Sequence, residues 1–378
     1  MNINYSHSIA PEKVVRGINA WNDGSLLVPS LSKRPIIIGR NISTLKTRLK
    51  LKHDLEKLGI NPTITSINYD CCELDLLNLE ATIIKNNSDC VIAVGGGKVL
   101  DTGKLIADRI SIPCITIPLS AATCAGWTAL SNIYSPEGAF LKDVILKNCP
   151  NLLIFDYDLV RTSSTRTLSS GIADALAKWY EASLTSKESS DGLVQQAVQM
   201  ARVLRDQLLI DGKAALENNK TDSWERVVEA CALTAGLIGG IGGPRCRTAA
   251  AHALHNGLTQ LKFKNKPLHG ELVGLGILAQ LRLEEIHNKN ELAKQGRFQL
   301  IEFMKIINLP TNTNDIGVSD FTLRNLLEAC EFSFNDGLGM SNLPFKASPS
   351  SLLEALITTE IEYNSTKTKI TEVKISND

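Results

Sequence analysis

Three of the six histidines fall within 18 residues: His252, His255 and His269. The run Ala249-Ala250-Ala251-His252-Ala253-Leu254-His255-Asn256-Gly257 reads as a helix of small residues with two imidazoles at i and i+3, hence on one face. Pro267-Leu268-His269-Gly270-Glu271 opens the next helix, and imidazoles on neighbouring helices can converge on one metal ion. The carboxylate that would complete such a set is Asp174, in the small, apolar segment Gly171-Ile172-Ala173-Asp174-Ala175-Leu176-Ala177-Lys178-Trp179. A buried acid is costly unless it is paired or metal-bound. One carboxylate and two imidazoles, with positions left for water or substrate, make a catalytic zinc or iron(II) set. Plainer roles exist for the same residues. A lone imidazole on an apolar helix is commonly a hydrogen-bonded core residue, and Asp174 could cap a helix or pair with Lys178 at i+4.

A second chemical signal lies upstream. Val91-Ile92-Ala93-Val94 is an apolar, β-branched run, as in a strand buried on both faces. Gly95-Gly96-Gly97-Lys98 ends it, and Leu100, Leu105 and Ile106 open a helical stripe behind. Strand, glycine turn and helix point free N–H groups and a helix N-terminus at an anion, and glycine lets a pyrophosphate approach the backbone. A tight turn without a ligand has the same local pattern.

These signals need elements to hold them. Strands are predicted at 35–39, 63–67, 90–94, 114–118 and 152–155, with helices at 43–58, 74–84 and up to about 109, and a hairpin over 131–146. Alternating strands and helices with short connections mean right-handed βαβ units and a parallel sheet. Ligands bind beyond the carboxyl ends of such strands. That puts Gly39-Arg40, Gly95 to Lys98 and Ser120 to Cys124 on one rim. After Thr165 the spacing turns helical, in blocks at 168–184, 192–216, 222–239, 247–260, 269–287, 292–306, 320–332 and 349–361. The expectation is an α/β domain over residues 1–160 and an all-α domain over 161–378, whose polar tail from Asn364 to Asp378 is free to fray.

Composition narrows the field. Forty basic and forty acidic residues cancel, leaving no electrostatic footprint for nucleic acid or an anionic membrane. No apolar run approaches the roughly 18–20 residues of a membrane span. Nine cysteines lack a C-x-x-C pair, and the N-terminus lacks the basic start and apolar core of a secretion signal. Together these suggest reduced thiols in a cytoplasmic protein.

Four separated segments then carry a resemblance: Gly95-Gly96-Gly97-Lys98-x-x-Asp101, Gly-x-x-Asp174-Ala-x-x-x-Trp179, Ala-His252-x-x-His255-Asn-Gly and Leu-His269-Gly. In this order and spacing the chain, from about residue 8 to 360, resembles the glycerol dehydrogenase branch of the iron-containing alcohol dehydrogenase superfamily. The resemblance implies a Rossmann-like domain followed by a helical domain (the dehydroquinate synthase-like fold), a homo-oligomer, NAD or NADP, and one divalent metal, zinc or iron(II), acting on a small-molecule substrate. It assigns the metal to Asp174, His252 and His269, and sets His255 near the nicotinamide as the catalytic proton relay. It assigns cofactor contacts to Arg40, Gly95, Gly96, Gly97, Lys98, Asp101, Thr123, Thr128, Leu130 and Tyr134.

Two departures bear on specificity. Glycerol dehydrogenases carry a Ser-Thr-Asp-Ala-Pro segment whose acid contacts the polyol, whereas this chain reads Ala122-Thr123-Cys124-Ala125-Gly126-Trp127. That version resembles hydroxycarboxylate dehydrogenase relatives, which reduce 2-oxo acids. Losing an anion removes repulsion toward a substrate carboxylate. Arg245 and Arg247 could supply countercharge, and Trp127 an apolar wall. Arg40 stands where NAD-preferring relatives place an acid, which favours the 2′-phosphate of NADP. Glycerol or short-polyol oxidation is the alternative activity, and a dehydroquinate synthase-like cyclase a more distant one.

Overall fold

The computed structural model describes residues 7–363 except Asn41 and Asp336, with backbone alone at Pro244, Arg245 and Ser319. The tail expected to fray and the Arg245 side chain therefore lie outside the described residues. The first half holds eight strands among the described residues: β1 (Lys13–Gly17), β2 (Pro35–Arg40), β3 (Thr63–Ile67), β4 (Cys90–Gly95), β5 (Cys114–Pro118), β6 (Leu130–Tyr134), β7 (Phe140–Ile145) and β8 (Leu152–Asp156). Between them run the short α1 (Ala20–Ser25) and α2 (Val28–Leu31), then α3 (Leu45–Lys57), α4 (Glu73–Lys85) and α5 (Gly97–Ile110).

Six strands form one parallel sheet in the order β1-β8-β5-β4-β2-β3, while β6 and β7 pair as a separate antiparallel hairpin. Every residue of β4, β5 and β8 is buried, as continuous apolar runs covered on both faces require. From β2 the chain steps outward to β3, then returns to the other side of β2 to lay down β4. The order reverses there, and the crevice between the carboxyl ends of β2 and β4 is where such sheets receive ligands. Pro35–Gly39 is thus the second strand. The first, Lys-Val-Val-Arg-Gly, escaped the sequence reading because it is an edge strand, only half-buried and short of apolar residues.

From Tyr157 onward the chain is helical: α6 (Tyr157–Val160), α7 (Thr165–Thr185), α8 (Gly192–Glu217), α9 (Asp222–Glu229), α10 (Ala235–Gly242), α11 (Ala250–Leu258), α12 (His269–Asn288), α13 (Glu291–Ile306), α14 (Leu323–Phe332) and α15 (Pro349–Ile357). The block expected as one helix over 222–239 is α9 and α10 joined by a π turn, Ala230–Thr234. No helix among the described residues is long and apolar enough to cross a membrane.

Three close backbone approaches set the geometry that matters. A Cβ on Gly171 of α7 would stand 2.0 Å from the Ala121 carbonyl oxygen, so the helix lies directly on the loop after β5. A Cβ on Gly270 would stand 1.7 Å from Ser170 O, and one on Gly276 would stand 2.5 Å from Ala251 O. Glycine at these points lets α12 cross α7 and α11 at backbone contact. The fully buried Gln280 of α12 ties all three helices, accepting Ala251 N–H (3.3 Å) and donating to Tyr180 O (2.8 Å).

Candidate active site

The crossing of α7, α11 and α12 faces the carboxyl rim of the sheet across a cleft of about 460 Å³. Asp174 projects from the middle of α7, whose N-cap is Ser164, so it caps nothing. His252 leaves the first turn of α11, and His269 is the first residue of α12. Their donor atoms lie within 4.8 Å of one another. Asp174 Oδ1 is 3.3 Å from His252 Nε2 and 3.1 Å from His269 Nε2. Burial alone would raise the Asp174 carboxyl, yet His269, His252 and Lys178 hold it well below the usual carboxylate range.

Glu181, about two turns beyond Asp174 on the same face of α7 and 1% exposed, was not anticipated. Its Oε1 accepts the backbone N–H groups of Ala249 (2.7 Å) and His252 (3.0 Å) at the start of α11, and its Oε2 lies 2.5 Å from His252 Nδ1. The carboxylate thereby keeps a proton on Nδ1 and turns Nε2 toward Asp174. Burial opposes a charge on this ring, but Glu181 and Asp174 push it up to about 9. The start of α12 is fixed as firmly. Glu271 accepts Leu268 N–H (2.7 Å) and a bidentate pair from Arg166 at 2.6 and 2.8 Å, and Gly270 N–H donates to Ser170 Oγ (2.9 Å). Two imidazoles and one carboxylate, each oriented by a second bond or a helix contact, form a donor set that fits one divalent ion.

His255 is placed differently. Its ring stands edge-on to His269, with centroids 4.1 Å apart, and its Nδ1 is 2.9 Å from Asn256 Oδ1. It lines an adjoining chamber of about 390 Å³ with Lys98 and Tyr134 rather than the main cleft. Burial, then the charges of His269 and His252, lower its pKa well below the ordinary imidazole value.

Across the cleft stands the glycine turn. Gly96 is the N-cap of α5, and a Cβ there would meet only Ser120 Oγ, at 3.7 Å. Gly97, Lys98, Asp101, Thr123, Thr128, Leu130 and Tyr134 all line the cleft. Gly95 faces inward against Val99. The Lys98 ammonium pairs with Asp70 and lies 4.5 Å from the Tyr134 ring centroid. Asp70, absent from the sequence reading, also pairs with Arg40 and, at 3.3 Å, with Lys266 from the loop before α12. Arg40 is therefore engaged: it donates to Asn68 O (2.9 Å) as well, and it stands outside the cleft lining.

Cys124 and Arg247 line the cleft. Burial pushes the Cys124 thiol up, so it is a neutral wall and no nucleophile. Trp127 does not line it. Its indole N–H donates to Ile9 O (3.1 Å), and its ring fills the space that Gly236 leaves open, so the expected apolar wall is a packing contact. The only bond to the Arg247 side chain among the described residues is Nε to Gly239 O, at 3.4 Å.

Residues 11–157 match the family described as iron-containing alcohol dehydrogenase. An uncharacterized oxidoreductase of Synechocystis sp. is 42% identical over 369 residues, covering 98% of this chain and 95% of its own. Hydroxycarboxylate dehydrogenase A of Escherichia coli is 38% identical over 219 residues, 56% of this chain and 60% of the relative. The crystal structure of glycerol dehydrogenase from Schizosaccharomyces pombe matches with a TM-score of 0.83 at 26% identity, covering 98% of this chain and 93% of that one. With its sheet half matching the family and its whole length matching a relative, this chain belongs to the iron-containing alcohol dehydrogenases, in the glycerol dehydrogenase-like branch, and is an oxidoreductase acting on CH–OH.

Proposed function

We propose that the chain is a metal-dependent, NAD(P)-linked dehydrogenase that interconverts a small 2-hydroxy acid and its 2-oxo acid. Asp174, His252 and His269 would hold one divalent ion, and the Gly95–Lys98 turn the pyrophosphate of the nucleotide. When bound, the ion supplies Lewis acidity at the substrate oxygen, and the nucleotide supplies or accepts hydride.

The chain's own residues do the rest. Glu181 fixes the His252 tautomer, and the crossing of α7, α11 and α12 holds the three donors at one point. His255, kept neutral, is the proposed proton relay. With Nδ1–H engaged by Asn256 Oδ1, its Nε2 is left to accept or pass a proton. Lys98 and Lys266 on the cleft lining, with Arg40 just outside it, outnumber the single Asp70 between them, which supports NADP over NAD.

The observation that carries the substrate class is Cys124 on the cleft wall, a neutral thiol where glycerol dehydrogenases have a polyol-binding acid. An acid there would face a substrate carboxylate as a like-charge pair, a penalty of several kcal/mol. The likeness to hydroxycarboxylate dehydrogenase A supports the same direction.

The test is an initial-rate panel of pyruvate, glyoxylate, glycolaldehyde, dihydroxyacetone and glycerol, run with both nucleotides and with zinc, iron(II) and manganese. A 2-oxo acid should be the best substrate, with NADPH. Rapid glycerol oxidation with no 2-oxo acid reduction would overturn the substrate class and leave the dehydrogenase.

A further inference from the structure

Lys178 follows Asp174 by four residues on α7, so the two side chains leave the same face with Cβ atoms about 5–6 Å apart. It is 7% exposed, yet it lines the cleft. Among the described residues no carboxylate lies within ion-pair distance of its Nζ, and no hydrogen bond engages it. Lysine is almost never buried without a partner, because an ammonium taken from water needs replacement for its solvation. The nearby acids Asp174 and Glu181 act on it through space, but neither is in bonding contact with it. Asp174 Oδ1 faces the two imidazoles, and Glu181 is occupied by two backbone N–H groups and His252. Cys124 faces the same space as a neutral thiol. Arg247, also on the cleft, adds a second positive charge, and Asp143 on the same lining forms no ion pair with it.

We infer that Lys178 is the carboxylate anchor of the substrate site, binding the C1 carboxylate of a 2-oxo or 2-hydroxy acid beside the Asp174–His252–His269 triad. This rests on the proposed 2-hydroxy acid reading and narrows it. A 2-oxo acid carries its carboxylate on the carbonyl carbon itself. With the carbonyl oxygen at the triad, the anion falls a single carbon away, which suits a cation one helical turn from Asp174. Acids with a more remote carboxylate would carry it past Lys178. The role expected of Arg247 thus passes chiefly to a residue that sequence spacing had offered only as a partner for Asp174.

The test compares pyruvate with hydroxyacetone, which replaces the carboxylate by an uncharged hydroxymethyl group on the same carbon skeleton. The ratio of their kcat/KM values is measured for the parent holoenzyme and for Lys178→Met, with Lys178→Gln as the second variant should the first fail to fold. Calorimetric binding of oxamate to the same zinc-loaded proteins is the parallel readout. The parent should favour pyruvate. The variant should lose roughly 10- to 150-fold of that ratio, the contribution of one charge-assisted hydrogen bond, and oxamate affinity should fall by a similar factor. A ratio within about twofold of a pyruvate-preferring parent would overturn the role of Lys178 alone. A parent that reduces hydroxyacetone and ignores pyruvate would overturn the 2-hydroxy acid reading beneath it.

Discussion

Replacing Glu181 by glutamine tests how this chain prepares its metal site. The carboxylate accepts three N–H groups, from Ala249, His252 and the His252 ring. In Glu181→Gln the amide oxygen can still accept the two backbone donors at the start of α11, so the helix keeps its anchor. The amide NH₂ then faces His252 Nδ1, where it can only donate. The imidazole must move its proton to Nε2, the atom that points at Asp174, or leave the position. Outer partners of metal-bound histidines typically contribute 10- to 100-fold in metal affinity. Here the exchange is of acceptor for donor between a buried carboxylate and a mostly buried ring, so the upper end, about 100-fold, is expected. Zinc affinity measured by competition with a chromophoric chelator reads this, with circular dichroism as the check on folding. Glu181→Ala should do more. It also strands two buried N–H groups at about 1–3 kcal/mol each, and should lower Tm as well as affinity. A folded Glu181→Gln protein with zinc affinity within twofold of the parent would refute the reasoning.

Other expectations follow from the same geometry. Gly270→Ala places a methyl 1.7 Å from Ser170 O, a clash only backbone movement relieves. It should destabilise by about 2–3 kcal/mol or more and displace His269, seen as a lower Tm together with weaker zinc binding; parent-like values of both would contradict the crossing described above. A Cβ at Gly96 would meet only Ser120 Oγ, at 3.7 Å, so Gly96→Val should fold and raise the Kd for NAD(P) about 10-fold or more by blocking approach to the α5 N-terminus. Unchanged fluorescence titration of NADPH would contradict this. Burial raises the Glu284 carboxyl from 4.5 to about 7, so between those values the folded chain holds a proton that the unfolded chain releases. Stability tied to that proton is complete below about pH 4.5 and lost as pH rises through about 7. Glu284→Gln needs no such proton and should exceed the parent by on the order of 3 kcal/mol above pH 7, with no gain below pH 4.5 in denaturant titrations.

What the sequence made legible was whatever a local pattern carries. Val91 to Gly97 announces a buried strand and a glycine turn because both depend on residues in immediate succession. The triad was legible because two of only six histidines, and one acid in a small apolar run, sit in helical segments. Glu181 and Lys178 share a helix face with Asp174, and the spacing of four and seven was there to read. Their partners were not, since Glu181 engages a different helix and Lys178 makes no hydrogen bond or ion pair among the described residues, acting on Asp174 only through space. Asp70 could not be found this way. Its three cations come from β2, the start of α5 and the loop before α12, brought together only by the tertiary fold. The wall expected of Trp127 failed for a similar reason: the space its ring occupies exists because position 236, more than a hundred residues away, has no side chain.

The most direct measurement is a zinc-edge anomalous difference map from crystals grown with zinc and oxamate. The expected result is one peak per chain at the point shared by Asp174, His252 Nε2 and His269 Nε2, with no contribution from His255 and with the oxamate carboxylate on Lys178. A peak on any other residue set, or none at this crossing under saturating zinc, would contradict the site.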